Sequence, residues 1–243
     1  APLVFAGFGI DAPKQGFNDY AGLNVKGKIV VILQGIPKRA PDEVLAHLGT
    51  EKGKMAAARG AIGIITIPTL ESAKLRPWNK AQGTASVPRM TWVQADGKPF
   101  VSAPGIKAAA AISSAGAEVL FAGASTPLAK VLAEADKMGG APKGFPLKTS
   151  ARIEATSAVR TIASTEVIGR LDGSDPALKN EHVVLMAHLD HLGIRPEKSG
   201  DNIYNGALDN AAGVAVMLEV ARAFGSDDKA PKRSMLFVAN TAE

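Results

Sequence analysis

The sequence predicts an α/β protein in two parts, and three observations predict it. In the second half, apolar runs of strand length alternate with a long amphipathic helical pattern, the order that builds a parallel sheet. The first half is β-rich: short β-branched runs such as KIVVIL and AIGIITI are separated by Ala-rich helical stretches. Between the halves lies GGAPKG (139–144), whose Gly and Pro content marks a boundary. The division is drawn at 1–145 and 146–243.

Residues 3–6 (LVFA) form a short apolar run closed by Gly7 and Gly9. Residues 28–33 read as a buried strand from their β-branched content. Asp42, behind Pro41, can cap a helix, and residues 56–59 end another at Gly60. The next strand, 61–67, is stopped by Pro68, and 87–93 reads as a further one. Residues 113–121 look helical. Ser125 or Thr126 with Pro127 starts another helix, which Gly139 and Gly140 stop. Strands follow at 147–155, 160–171 and 182–187, then an amphipathic helix over 211–224 and a strand over Ser234–Asn240.

Composition narrows the classes. Hydrophobic residues make up 46% and charged residues 21% of 243, a balance that buries a core. The net charge is +5, but Lys and Arg are scattered singly and aromatics are few, which argues against a nucleic-acid partner. With no cysteine, disulfides, thiol proteases and thiolate metal sites are excluded, so any metal must use His, Asp and Glu. No apolar run reaches the roughly 18 residues a membrane span needs.

Two phosphate-binding look-alikes fail on context. Gly7 to Ala12 (GFGIDA) has dinucleotide-fingerprint spacing, but Pro13, Gln15 and Gly16 oppose the helix that must open there. A glycine turn accounts for it. The stretch GTEKGKM (49–55) is one residue short of a phosphate loop and lacks the hydroxyl residue after Lys54; it reads as a polar helix turn.

The chemistry gathers in the last quarter. His188 follows an apolar run and so sits at the carboxyl end of a strand, where open α/β sheets place ligands. Asp190, two residues on, points to the same side of an extended chain. Its carboxylate can accept the second imidazole N–H and leave the other nitrogen free for a metal. Asp209 precedes the helix whose apolar face uses Val214, Met217, Leu218 and Ala221. Asp is a favoured N-cap, and Asn210 could cap as well. A cap alone does not explain the small residues around it (Asn205, Gly206, Ala207, Gly213), which let backbone approach a site closely. Glu243 follows the strand Ser234–Asn240 and belongs to the same crevice, placed to act as general base on a metal-bound water.

The segments VVLMAHLDHLG, GDNIYNGALDNAAG and RSMLFVANTAE resemble the dizinc exopeptidases of the bacterial secreted aminopeptidase type, in the subgroup with an inserted protease-associated (PA) domain. LVFAGFGI, GFNDYAGLNVKGKIVVIL and ARGAIGIITI resemble that inserted domain, and EVIGRLDGSDPALKNEHVV resembles the chain's return into the peptidase fold. The resemblance implies residues 1–145 as a β-rich PA domain and 146–243 as the first part of a zinc-peptidase α/β/α sheet.

Carried over, it makes His188 a ligand of one of two zinc ions, Asp190 its orienting carboxylate, Asp209 the carboxylate bridging both zincs and Glu243 the general base. It also implies a cis peptide between Asp209 and Asn210. In the family a second Glu follows directly, and an Asp and a His lie further on; this sequence ends before all three. Glu166 departs from the Asn more usual before Val-Ile-Gly.

The expectation is thus a fragment of a secreted or periplasmic zinc aminopeptidase, acting on peptides and inactive alone, with oligomeric state open. Two alternatives stand beside it. One is a metal-free, receptor-like module in which the PA domain is the interaction surface. The other is a carboxypeptidase or aminoacyl cyclase on the same fold.

Overall fold

A computed structural model describes residues 1–38, 43–83, 88–194, 199–227 and 229–241. The chain forms two compact units, Ala1–Ser157 and Ala158–Glu243.

The first unit runs β1 (Pro2–Phe5), β2 (Asp11–Ala12), β3 (Phe17–Asn18), β4 (Ile29–Leu33), α1 (Glu43–Thr50), α2 (Lys52–Ala58), β5 (Gly63–Ile67), α3 (Leu70–Leu75), α4 (Trp78–Gly83), β6 (Ala108–Ala111), α5 (Ser114–Leu120), α6 (Leu128–Ala135) and β7 (Phe145–Ser150). Five strands form one sheet in the order β6-β5-β4-β1-β7, parallel except for β7, and β2 pairs with β3 apart from it. Alternation along the strands splits the core in two. Leu3, Phe5, Val31 and Leu33 meet Leu45, Phe121, Leu128 and Val131 on one face. Val4, Val30, Ile32 and Ile64 meet Tyr20, Val25 and Ala56 on the other. Both faces are covered, which is why these strands read as continuous apolar runs.

Several elements differ from the sequence expectation. Strand β7 pairs with β1, so the first unit continues past the 145/146 division and the strand is 145–150 instead of 147–155. GGAPKG packs tightly instead of linking. A Cβ at Gly140 would overlap Glu134 O, and one at Gly144 would come within 2.6 Å of Phe5 O. In the expected strand 87–93, residue 87 lies outside the described residues, and the remainder forms only an isolated bridge, Val93 to Pro99. Strand β6 escaped notice because four alanines carry no β signal. Helix α3 is fixed by a capping box between Thr69 and Ser72. Asp42, the expected cap before α1, lies outside the described residues. Where a nucleotide fingerprint would need a helix there is a turn: Gly7 and Gly9 have positive φ, and a Cβ on Gly9 would sit 2.8 Å from Ile32 Cγ2.

Lys52 is buried in this unit. Its Nζ donates to Leu33 O at 3.0 Å and to Gly35 O, and lies 5.7 Å from the Phe8 ring centroid. Burial pulls its pKa down to about 8, against the pull of Asp19. Burial raises the Asp19 carboxyl, partly offset by backbone N–H groups of Ile10, Phe8 and Gly9.

The second unit runs β8 (Val167–Leu171), β9 (His182–His188), β10 (Gly193–Ile194), β11 (Ile203–Tyr204), α7 (Ala212–Gly225) and β12 (Ser234–Asn240). Its sheet has the order β8-β12-β9, with β12 parallel to β9 and antiparallel to β8. The expected strand 160–171 starts only at Val167. Met217, Val220 and Ala221 of α7 pack on Met235, Phe237 and Ala239 of β12. Leu218, expected on the packed face, is exposed. The mixed α/β class is as expected.

Candidate metal centre

Strands β9 and β12 end side by side. Their parallel register sets His188 against Asn240, and Leu189 N–H donates to Asn240 O at 2.8 Å. His188 therefore stands at the carboxyl edge of the sheet with its ring mostly covered, 13% exposed.

The loop before α7 carries the second donor. Gly206 has φ +66°, and a Cβ there would lie 2.9 Å from the His191 side chain, so the turn needs glycine. The Asp209–Asn210 peptide is cis, as the resemblance implies. Asn210 Oδ1 accepts the Gly213 N–H at 3.1 Å, while a Cβ at Gly213 would overlap the Asn210 side chain. Asn210, not Asp209, thus serves the start of the helix. That leaves the Asp209 carboxylate directed at His188, with Oδ1 3.0 Å from Nε2.

On the other side of the ring, Nδ1 lies 3.0 Å from the main-chain oxygen of Asp190 and 3.7 Å from its carboxylate. The acceptor at hydrogen-bond distance is the Asp190 carbonyl, where the sequence pointed to its side chain. A proton on Nδ1 donating there leaves the Nε2 lone pair facing Asp209.

An imidazole nitrogen and a carboxylate oxygen are donors that zinc accepts. At 3.0 Å apart, both lie within reach of one ion held about 2.1 Å from each. The pair fits zinc. Among the described residues no cluster of three or more such side chains occurs, and Glu243 lies outside them. The structure thus brings together His188, Asp209 and the Asp190 main chain.

His191 was missed. Its ring lies 6.3 Å from that of Tyr204, it fills the space left by Gly206, and its Nδ1 is buried without a hydrogen-bond partner among the described residues. The only sequence signal was the third position after His188 in HLDH.

Fold and donors define an α/β unit with a metal-type His–Asp pair at the carboxyl edge of its sheet, joined to a second α/β unit. Residues 166–243 match the model of Peptidase family M28, and residues 1–116 match that of the PA domain. The second unit is thus similar to peptidases of family M28 and the first to PA domains. That family implies hydrolytic, zinc-dependent action on peptides. No curated protein matches the chain. Among the described residues no helix is long and apolar enough to cross a membrane.

Proposed function

We propose that the second unit supplies two of the ligands, His188 and Asp209, of the dizinc centre of an aminopeptidase that removes N-terminal residues from peptides. The observation that carries this reading is the 3.0 Å approach of His188 Nε2 to Asp209 Oδ1, from stretches 21 residues apart. Two zinc ions, when bound, acidify a water and polarise the scissile carbonyl. His188 offers Nε2 to one ion, its ring held by the Asp190 main chain. Asp209 would offer its carboxylate to the metal beside His188, while Asn210 holds the helix behind it. Glu243 would serve as the general base, accepting a proton from the attacking water and returning it to the leaving amine. A secreted or periplasmic location, which the resemblance implies, belongs to this proposal, and cell fractionation tests it.

Two side-chain donors hold zinc weakly, so the 243 residues by themselves should release no N-terminal residue. Metal analysis and a peptide-hydrolysis assay on the isolated chain, and on His188→Ala and Asp209→Ala, test this. Weak zinc binding that both substitutions abolish supports it. Two tightly held zincs with full turnover, or binding indifferent to both substitutions, would overturn it.

A further inference from the structure

The first unit carries a hairpin that belongs to neither of its cores. Gln94 N–H donates to Lys98 O at 2.9 Å and Phe100 N–H to Trp92 O at 2.9 Å, around a turn in which Gly97 has φ +79°. The Asp96 carboxylate accepts the Lys98 N–H, and Thr91 Oγ1 donates to Phe100 O. The hairpin is therefore a built element. Trp92 and Phe100 stack on one of its faces, centroids 4.8 Å apart. Strand alternation puts Val93 and Val101 on the other.

All four are exposed, Trp92 by 60%, and none belongs to a core cluster. Exposed aromatic and branched side chains on both faces of a hairpin outside the core mark an interaction site. A rigid protein partner meets one face of such an element. A lipid interface surrounds both, and tryptophan favours that boundary because its ring is apolar and its N–H polar.

Charge selects the kind of lipid. Residues 74–107 hold six basic side chains and one acidic, a net +5 that equals the charge of the whole chain. Arg89 precedes Trp92 by three residues and Lys98 precedes Phe100 by two, and Asp96, 3.3 Å from Lys98 Nζ, is the single offset. We propose that this hairpin docks the protein peripherally on an anionic phospholipid bilayer, Trp92 and Phe100 entering the interface and the neighbouring basic residues facing the headgroups.

The test uses the full 243-residue chain with Trp78→Phe, which leaves Trp92 as the single tryptophan of the two. Vesicles of phosphatidylglycerol with phosphatidylcholine should bind the protein and shift Trp92 emission to the blue. Binding should weaken as salt rises, and pure phosphatidylcholine should bind far less. Arg89→Glu and Lys98→Glu, which leave the stack intact, should each weaken binding about fivefold or more. Phe100→Ser should remove the blue shift.

Three results would overturn the proposal. One is equal binding to neutral vesicles, or none to either. Another is a blue shift that grows with protein concentration without vesicles, which assigns the hairpin to a second copy. The third is a shift produced by poly-glutamate and not by vesicles, which assigns it to an acidic peptide.

Discussion

Every residue of β4, in the middle of the first sheet, is buried, whereas β9 of the second sheet buries only Ala187 fully. The first sheet has helices on both faces and two cores. Among the described residues, the second has one core, between α7 and β12, and leaves Ile168, Val184 and Met186 exposed. The contrast separates two jobs. Burial holds the first unit together, while in the second a small set of polar contacts sets the positions that matter for chemistry.

Removing a core ring probes this difference hardest. Phe5 is fully buried and packs edge-on to Phe121 at 5.4 Å. Phe5→Ala should destabilise the first unit by about 3–5 kcal/mol. Met186→Ala, at an exposed position of β9, should stay within about 0.5 kcal/mol. Denaturant unfolding followed by circular dichroism reads both, and comparable losses would erase the contrast.

The buried lysine gives the next largest effect. With a folded pKa of about 8, below its ordinary value of 10.5, Lys52 binds fewer protons in the folded than in the unfolded chain between those values. Stability from this group is therefore lowest below pH 8 and rises through pH 10.5, by up to roughly 3 kcal/mol. Burial raises the Tyr20 phenol, which opposes the rise above pH 10. Subtracting the pH profile of Lys52→Met from that of the natural chain isolates the lysine. A flat difference between pH 8 and 10.5 would contradict its burial as a cation.

In the second unit the effects are smaller and local. Asn210→Ala should cost about 1 kcal/mol through loss of the bond to Gly213. Asp209→Ala should cost less than half of that, since its carboxylate caps nothing and its side chain is 65% exposed. The reverse order in thermal melts would make Asp209 the cap. Smallest is Asp190→Asn. With the main-chain oxygen orienting His188, the zinc affinity of the chain should fall less than about tenfold; a fall of about 10–100-fold would return the orienting role to the carboxylate.

Much of this was legible in sequence. Strands β4, β5, β9 and β12 stood out because buried strands are β-branched and bounded by Gly or Pro; His188 stood out because motif and strand end coincided, and Asp209 because its motif precedes a helix start. The polyalanine strand β6 did not, since alanine suits a helix better and only its neighbour β5 makes it a strand. The unit boundary was misplaced because glycines that permit close approach look, in sequence, like glycines that permit flexibility. The acceptor of the His188 N–H was misread because a main-chain oxygen leaves no trace in side-chain spacing. His191 has a space to fill only once the backbone of Gly206 folds against it.

The pairing of Asn210 with Gly213 has a consequence for how the loop would behave if it holds the proposed cation. Because the Asn210 amide, and not the Asp209 carboxylate proposed as a ligand, fastens the start of α7, that carboxylate would already stand beside His188 when an ion arrived. A chelator should then strip the loop without unwinding the helix behind it. Exchange of the proposed ion would then be a local event, uncoupled from the integrity of the polypeptide.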